Sequence, residues 1–155
     1  MGAPSRAIDG ALVMNVGIVG HEAAKFTRHT EERARSIIRS ILRPGDVVIS
    51  GHCHLGGVDI WAEEEAASLG LQTLIFPPKR HSWFEGYRPR NILIAQHSDI
   101  VHCIVVAVLP PAYQGMHFAS CYHCHTNTHI KSGGCWTALR CANRQWHIVG
   151  EKETS

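Results

Sequence analysis

Charge of either sign is scarce in this 155-residue chain. Asp, Glu, Lys and Arg together make up 18% of it, and the formal net charge at pH 7 is +2. With 45% hydrophobic residues, so low a charge content excludes a disordered polyelectrolyte. The near-balance of charge also disfavours nucleic acid as a partner, because a duplex binder concentrates Lys and Arg on one face. No apolar run approaches the ~20 residues of a membrane-spanning helix, so no membrane association is expected. The opening segment MGAPSRAIDGALV lacks the continuous apolar core of a secretory signal, which leads to the expectation of a soluble, cytoplasmic protein. Two common nucleotide fingerprints are missing as well, since neither G-x-G-x-x-G nor GxxxxGK[ST] occurs.

Cysteine and histidine, by contrast, are plentiful. There are six cysteines, at positions 53, 103, 121, 124, 135 and 141, and twelve histidines. Without a secretory signal the thiols are better taken as free groups or metal ligands than as disulfides.

The order of elements predicts an α/β fold. Val13–Gly20 is a β-rich run closed by glycine. After a loop, Ala34, Ile37, Ile38, Ile41 and Leu42 share one face of a helix capped by Thr30 and stopped by Pro44-Gly45. DVVIS (46–50) is a continuous apolar strand. VDIWAEEEAASLG is a helix whose inner face carries Val58, Trp61, Ala62, Ala66 and Leu69, with Gly70 just past its end. LQTLIFPP reads as a third strand, RPRNILIAQHS as a helix with Pro89 in its first turn, and DIVHCIVVAVL as a fourth strand. A long loop without periodicity follows, and then the helix CWTALRCAN and the strand QWHIV.

Strands alternating with helices predict a doubly wound, Rossmann-like parallel sheet of five strands in the order 3-2-1-4-5, with a metal-binding loop insertion at 110–131. The domain is expected to span 14–151, with 1–13 a leader or disordered extension and 152–155 a frayed tail. In such a sheet ligands bind beyond the carboxyl ends of the strands, beside the switch in strand order.

Two glycine pairs follow such strand ends. In SGHCHLGGVD and KSGGCWTAL, glycines let backbone N–H groups approach a ligand, and the helix start behind them favours an anion. Lys131 adds a point charge, and Ser132 and Thr137 add hydroxyls. Each pair alone is equally well explained as turn chemistry. Together they suggest a phosphorylated, nucleotide-like ligand. KRHSWFEGYRPRN either supplies Trp83, Phe84 and Tyr87 for base stacking, beside Lys79, Arg80, Arg88 and Arg90 for phosphate, or is a solvated loop with one aromatic anchor.

The cluster CYHCH has a metal ligand's spacing. Cys121 and Cys124 form the short bite for two thiolates on a tetrahedral zinc. His129 and either His117 or His125 complete the expected set. A structural zinc would order the long loop, and reduced, unliganded thiols with solvated histidines, or a redox pair, are the alternative reading of the same spacing. Cys135 and Cys141, in or beside a helix, are expected to pack.

With VGIVGH, ISGHCHLGGVDIWAEEEA, RPRN, SDIVHCIVV and SGGCWTALRCA in view, the chain resembles the SLOG superfamily. This Rossmann-like group takes in lonely-guy phosphoribohydrolases, DNA-processing protein A, molybdenum-cofactor carriers and the YpsA-related proteins. The resemblance spans nearly all of 14–149. It implies a sugar-phosphate or nucleotide ligand held by Gly20, His21, Ser50, Gly51, Gly56, Gly57, Asp59, Arg90, Asn91, Gly133, Gly134 and Thr137. The phosphoribohydrolase pattern PGGxGTxxE departs here, with Ser132, Trp136 and Arg140 in place of its proline, third glycine and glutamate.

A ligand-binding sensor or carrier, forming a homo-oligomer, is therefore the expectation. An N-glycosidase using Asp59 or Glu22 is the alternative, because oxocarbenium-like charge needs a carboxylate that Arg140 does not supply. Single-stranded DNA binding through the basic aromatic loop is a third reading.

Overall fold

In the computed structural model the described residues are 6–8, 11–118 and 120–150. Five parallel strands form the main sheet: β3 (Asn15–Gly20), β4 (Val47–Ser50), β5 (Gln72–Ile75), β6 (Ile100–Val106) and β7 (Arg144–Val149). Their spatial order is β5-β4-β3-β6-β7, which is 3-2-1-4-5 when these five are counted in sequence. Register is set by pairs such as Val16 with Val48 and Val19 with Cys103. The segment expected to be a leader contains β1 (Arg6–Ile8) and β2 (Ala11–Val13), an antiparallel pair outside the main sheet. Residues 1–5, 9 and 10 of that segment lie outside the described residues, as does the tail 151–155.

Side chains alternate across the strands and divide the core in two. Val16, Ile18, Ile104 and Val106 face α1 (Arg28–Ile41) and α2 (Val58–Ser68), where Ala34, Ile38, Trp61, Ala62 and Ala66 meet them. Val19, Val101, Cys103 and Val105 face α3 (Arg88–His97) and α4 (Gly133–Ala138), against Ile94, Cys135 and Ala138. Strands buried on both faces need apolar residues at successive positions, which explains the continuous runs in β3 and β6. At the sheet's edge, every residue of β5 is exposed.

Three local expectations shift. Helix α1 begins earlier than expected, because Thr27 is its cap and Thr30 occupies the third helical position. The Thr27 hydroxyl accepts from Thr30 N at 3.1 Å while the Thr30 hydroxyl accepts from Thr27 N at 2.8 Å, a reciprocal box that satisfies two otherwise orphaned donors. Leu69 is exposed and not on the inner face of α2, because the helix ends before it and Gly70 turns the chain at φ +72°. Helix α4 spans only six residues. Among its described residues, the segment from 107 to 132, between β6 and α4, contains no helix or regular strand.

Candidate functional site

A cleft of about 620 Å³ opens at the carboxyl ends of β3 and β6, where the strand order switches. Val19 and Gly20 form its floor. One wall is Trp83, Tyr87, Arg90 and Asn91, from α3 and the π-helical turn Trp83–Tyr87 that leads into it. Facing residues come from the long loop, as Tyr122, His123 and Lys131, and from α4, as Gly133, Gly134, Trp136 and Thr137. Cys53 from the first glycine loop, Asp59 from the first turn of α2 and Ile94 of α3 complete the lining.

Arg90 is the most informative of these residues. Its side chain is 8% exposed, donates from Nη1 to the Gly51 carbonyl, and lies 5.4 Å from the centre of the Tyr87 ring. Its buried Nε has no partner. An unsatisfied buried donor costs about 1–3 kcal/mol, so Arg90 carries an unmet demand for an acceptor within the cleft wall. A Cβ on Gly51 would crowd the Arg90 guanidinium.

Asp59, also 8% exposed, accepts from Cys53 N at 3.1 Å. Burial pushes its carboxyl up to about 6, opposed by the Arg90 charge and the Cys53 N–H. The cleft thus contains a carboxyl group able to hold or release a proton near neutrality.

Several expected ligand contacts serve the protein instead. Both ring nitrogens of His21 are committed to backbone: Nε2 lies 2.7 Å from Lys131 O and 3.2 Å from Ile130 O, while Nδ1 accepts from Val106 N at 3.0 Å. Burial drives its pKa down to about 3, so the ring is neutral, with its proton on Nε2. It pins the loop that carries Lys131. The Ser50 hydroxyl donates to Glu63 at 2.7 Å. Gly56 and Gly57 do not line the cleft. A Cβ on Gly57 would lie 2.4 Å from His21 O, and Val58 N donates to that same carbonyl at 3.1 Å. This glycine pair lets α2 pack against the turn after β3.

The second pair behaves differently. Gly133 is open, with nothing near its missing Cβ, whereas Gly134 packs against Gly20. The Ser132 hydroxyl caps Gly134 N at 3.1 Å and the Thr137 hydroxyl donates to Gly133 O at 3.4 Å, so both are used by α4 itself. Glu22 lines an adjoining smaller groove, paired with Lys25 at 2.9 Å. Phe84 is 80% exposed outside the cleft, and Arg80 pairs with Glu85. Two of the three departures from the phosphoribohydrolase pattern stack on each other, with the Arg140 guanidinium 3.5 Å from the Trp136 ring centre and Trp83 edge-on to Trp136 at 4.9 Å.

Beside the cleft, Cys121, Cys124, His129 and Cys135 bring their ligand atoms within 4.8 Å of one another, a group that could hold a metal ion such as zinc. The fourth donor is Cys135 of α4, which sequence reasoning assigned to packing. His117 reaches Tyr113 O at 3.3 Å and His125 is exposed at φ +57°, and neither joins the group. His52 is held by Glu63 at 2.8 Å. The His129 Nδ1–H donates to Ile130 O at 2.7 Å, leaving Nε2 toward Cys124 Sγ at 3.2 Å and Cys135 Sγ at 3.6 Å. That carbonyl selects the tautomer a metal needs. Three sulfurs and one imidazole are a soft set suited to tetrahedral zinc. Burial opposes ionisation of Cys121, but N–H groups of Ser132, Cys124 and His123 outweigh it and lower its pKa. The available signal was proximity, since Cys135 directly follows the glycine pair of the same loop.

No protein-family model, curated protein or solved structure matches the chain. No helix among the described residues is long and apolar enough to cross a membrane.

Proposed function

We propose that the chain binds a nucleotide or nucleotide-derived phosphorylated ligand in the cleft, as a sensor or carrier, with a structural zinc at Cys121, Cys124, His129 and Cys135. The observation that carries this reading is Arg90, buried in the cleft wall with an unpartnered Nε. A guanidinium donor of fixed orientation suits a phosphate or carboxylate oxygen. Lys131 adds a second cation to the lining, and Trp83, Tyr87 and Trp136 supply aromatic surface for a base. The SLOG-like loops point to the same ligand class. Zinc would contribute structure and not chemistry, because four protein donors leave no open position.

Titration calorimetry of the zinc-loaded full chain against a panel of nucleoside 5′-monophosphates tests the proposal. At least one is expected to bind, and Arg90→Gln to weaken it about tenfold or more while circular dichroism stays unchanged. Absence of binding across the panel, or equal affinity in the variant, would sink the reading.

Asp59 favours a second reading, N-glycosidic hydrolysis, because a buried carboxyl lifted to about 6 sits in the same cleft. As a carboxylate it would stabilise oxocarbenium-like charge on the sugar. Chromatographic detection of free base, abolished in Asp59→Asn, would establish it. Binding without base release leaves the sensor or carrier.

A further inference from the structure

We infer that Tyr122 and His123 are ligand-contacting residues presented by the metal centre, so that occupancy of that centre sets the affinity of the cleft. This inference rests on the reading of the cleft as a nucleotide site and adds a regulation to it.

The Cys121–Cys124 turn provides the geometry. Its base is closed by Cys121 N to Thr126 O at 2.9 Å and Thr126 N to Cys121 O at 3.2 Å. Both cysteine sulfurs belong to the four-atom group, while the two side chains between them line the cleft. With the sulfurs drawn to one ion, Tyr122 and His123 are left to the opposite side.

Among the described residues little else holds them there. Tyr122 is 55% exposed, and its ring meets Phe118 at 6.3 Å, His123 at 4.4 Å and the Lys131 ammonium at 5.4 Å. All three belong to the same long loop. The anchors that leave this turn are the sulfurs, and one of their co-ligands is Cys135. That residue lies between Gly134 and Trp136, both in the cleft lining, and its sulfur accepts from Trp146 Nε1 at 3.2 Å. A single ion would therefore join the loop wall to the helical wall.

An ion that orders both walls favours the ligand-competent arrangement. By linkage, a bound ligand then raises metal affinity by the same factor. Tyr122 and His123 have π faces available for a base, and His123 a ring nitrogen for a polar edge.

The test measures the affinity of the tightest-binding nucleoside monophosphate for the full chain with zinc and after chelation. Removal is expected to weaken binding about tenfold or more, and the monophosphate to tighten zinc equally in competition with a chromophoric chelator. Unchanged affinity after zinc removal, with the fold retained, overturns the inference. Should chelation unfold the chain, zinc-loaded Tyr122→Ala/His123→Ala decides the matter. Tenfold weaker binding with zinc content and Tm unchanged supports the inference, and unaltered binding overturns it. If no monophosphate binds even the loaded protein, the nucleotide reading fails separately. Coupling is then read from acrylamide quenching of Trp83 and Trp136, which should increase on chelation; unchanged quenching overturns it.

Discussion

The two glycine pairs look alike in sequence and do opposite work. Gly56 and Gly57 lie at φ +75° and +89°, and the missing Cβ of Gly57 makes room for the backbone of residues 21–23. Gly133 has an ordinary φ and open space before it in the cleft lining. The first pair is there so that protein can pack on protein, and the second leaves space that a ligand can use. A glycine's meaning thus depends on what stands opposite it, and here that is a different chain segment in each case.

The largest expected effect breaks the comparison on its packed side. Gly57→Ala forces a Cβ onto a carbonyl in a left-handed conformation, and it should lower stability by about 3 kcal/mol in chemical denaturation. A loss under about 1 kcal/mol would show that the turn after β3 yields easily.

Asp59, in the first turn of α2 behind this packed pair, should give the next largest effect. Its folded pKa of about 6 stands above the ordinary 3.8, so between these values the folded state holds a proton that the unfolded state releases. Wild-type stability should therefore rise as pH falls from above 6 toward 4, whereas Asp59→Asn should lack this rise and be more stable than wild type at pH 7 by about 2 kcal/mol. Denaturant midpoints across that range check both signs, and a wild-type profile parallel to that of the variant contradicts the burial of an acid here.

The smallest stability effect belongs to the open pair. Gly133→Ala, at the first position of α4, should change stability by no more than about 0.5 kcal/mol, since alanine suits a helix and meets no atom. It should nevertheless weaken monophosphate binding, read by calorimetry, because its methyl enters the cleft. A destabilisation matching Gly57→Ala would erase the distinction between the loops.

The comparison also marks where sequence reading was informative. The strand order was legible because β3, β4 and β6 are continuous apolar runs separated by helical periodicity. Pairing Cys121 with Cys124 was legible because the spacing itself confines both sulfurs to one turn. Cys135 was not, because its helix would suit packing equally well. Only the approach of α4 to the long loop turns its thiol toward His129 Nε2. His117 and His125 were as close in sequence, yet one faces Tyr113 and the other is exposed. The packing roles of His21, Ser50 and Ser132 were not legible for a related reason: their hydrogen-bond partners are backbone or side-chain groups whose positions follow from packing, so a polar side chain near a strand end reads as a ligand contact until those partners are in place.

By itself, the amino-acid order determined the doubly wound sheet, the edge on which a site forms and the chemical types available there. Those follow from local periodicity, turn chemistry and the rule that parallel strands must be covered on both faces. Tertiary structure decided which residues do the work. Arg90 is left with an unmet donor, Asp59 is desolvated, and a third thiol completes the group that could hold a metal. Each of these depends on distances between segments remote along the chain, and on the dielectric that burial creates, neither of which any short stretch of sequence encodes.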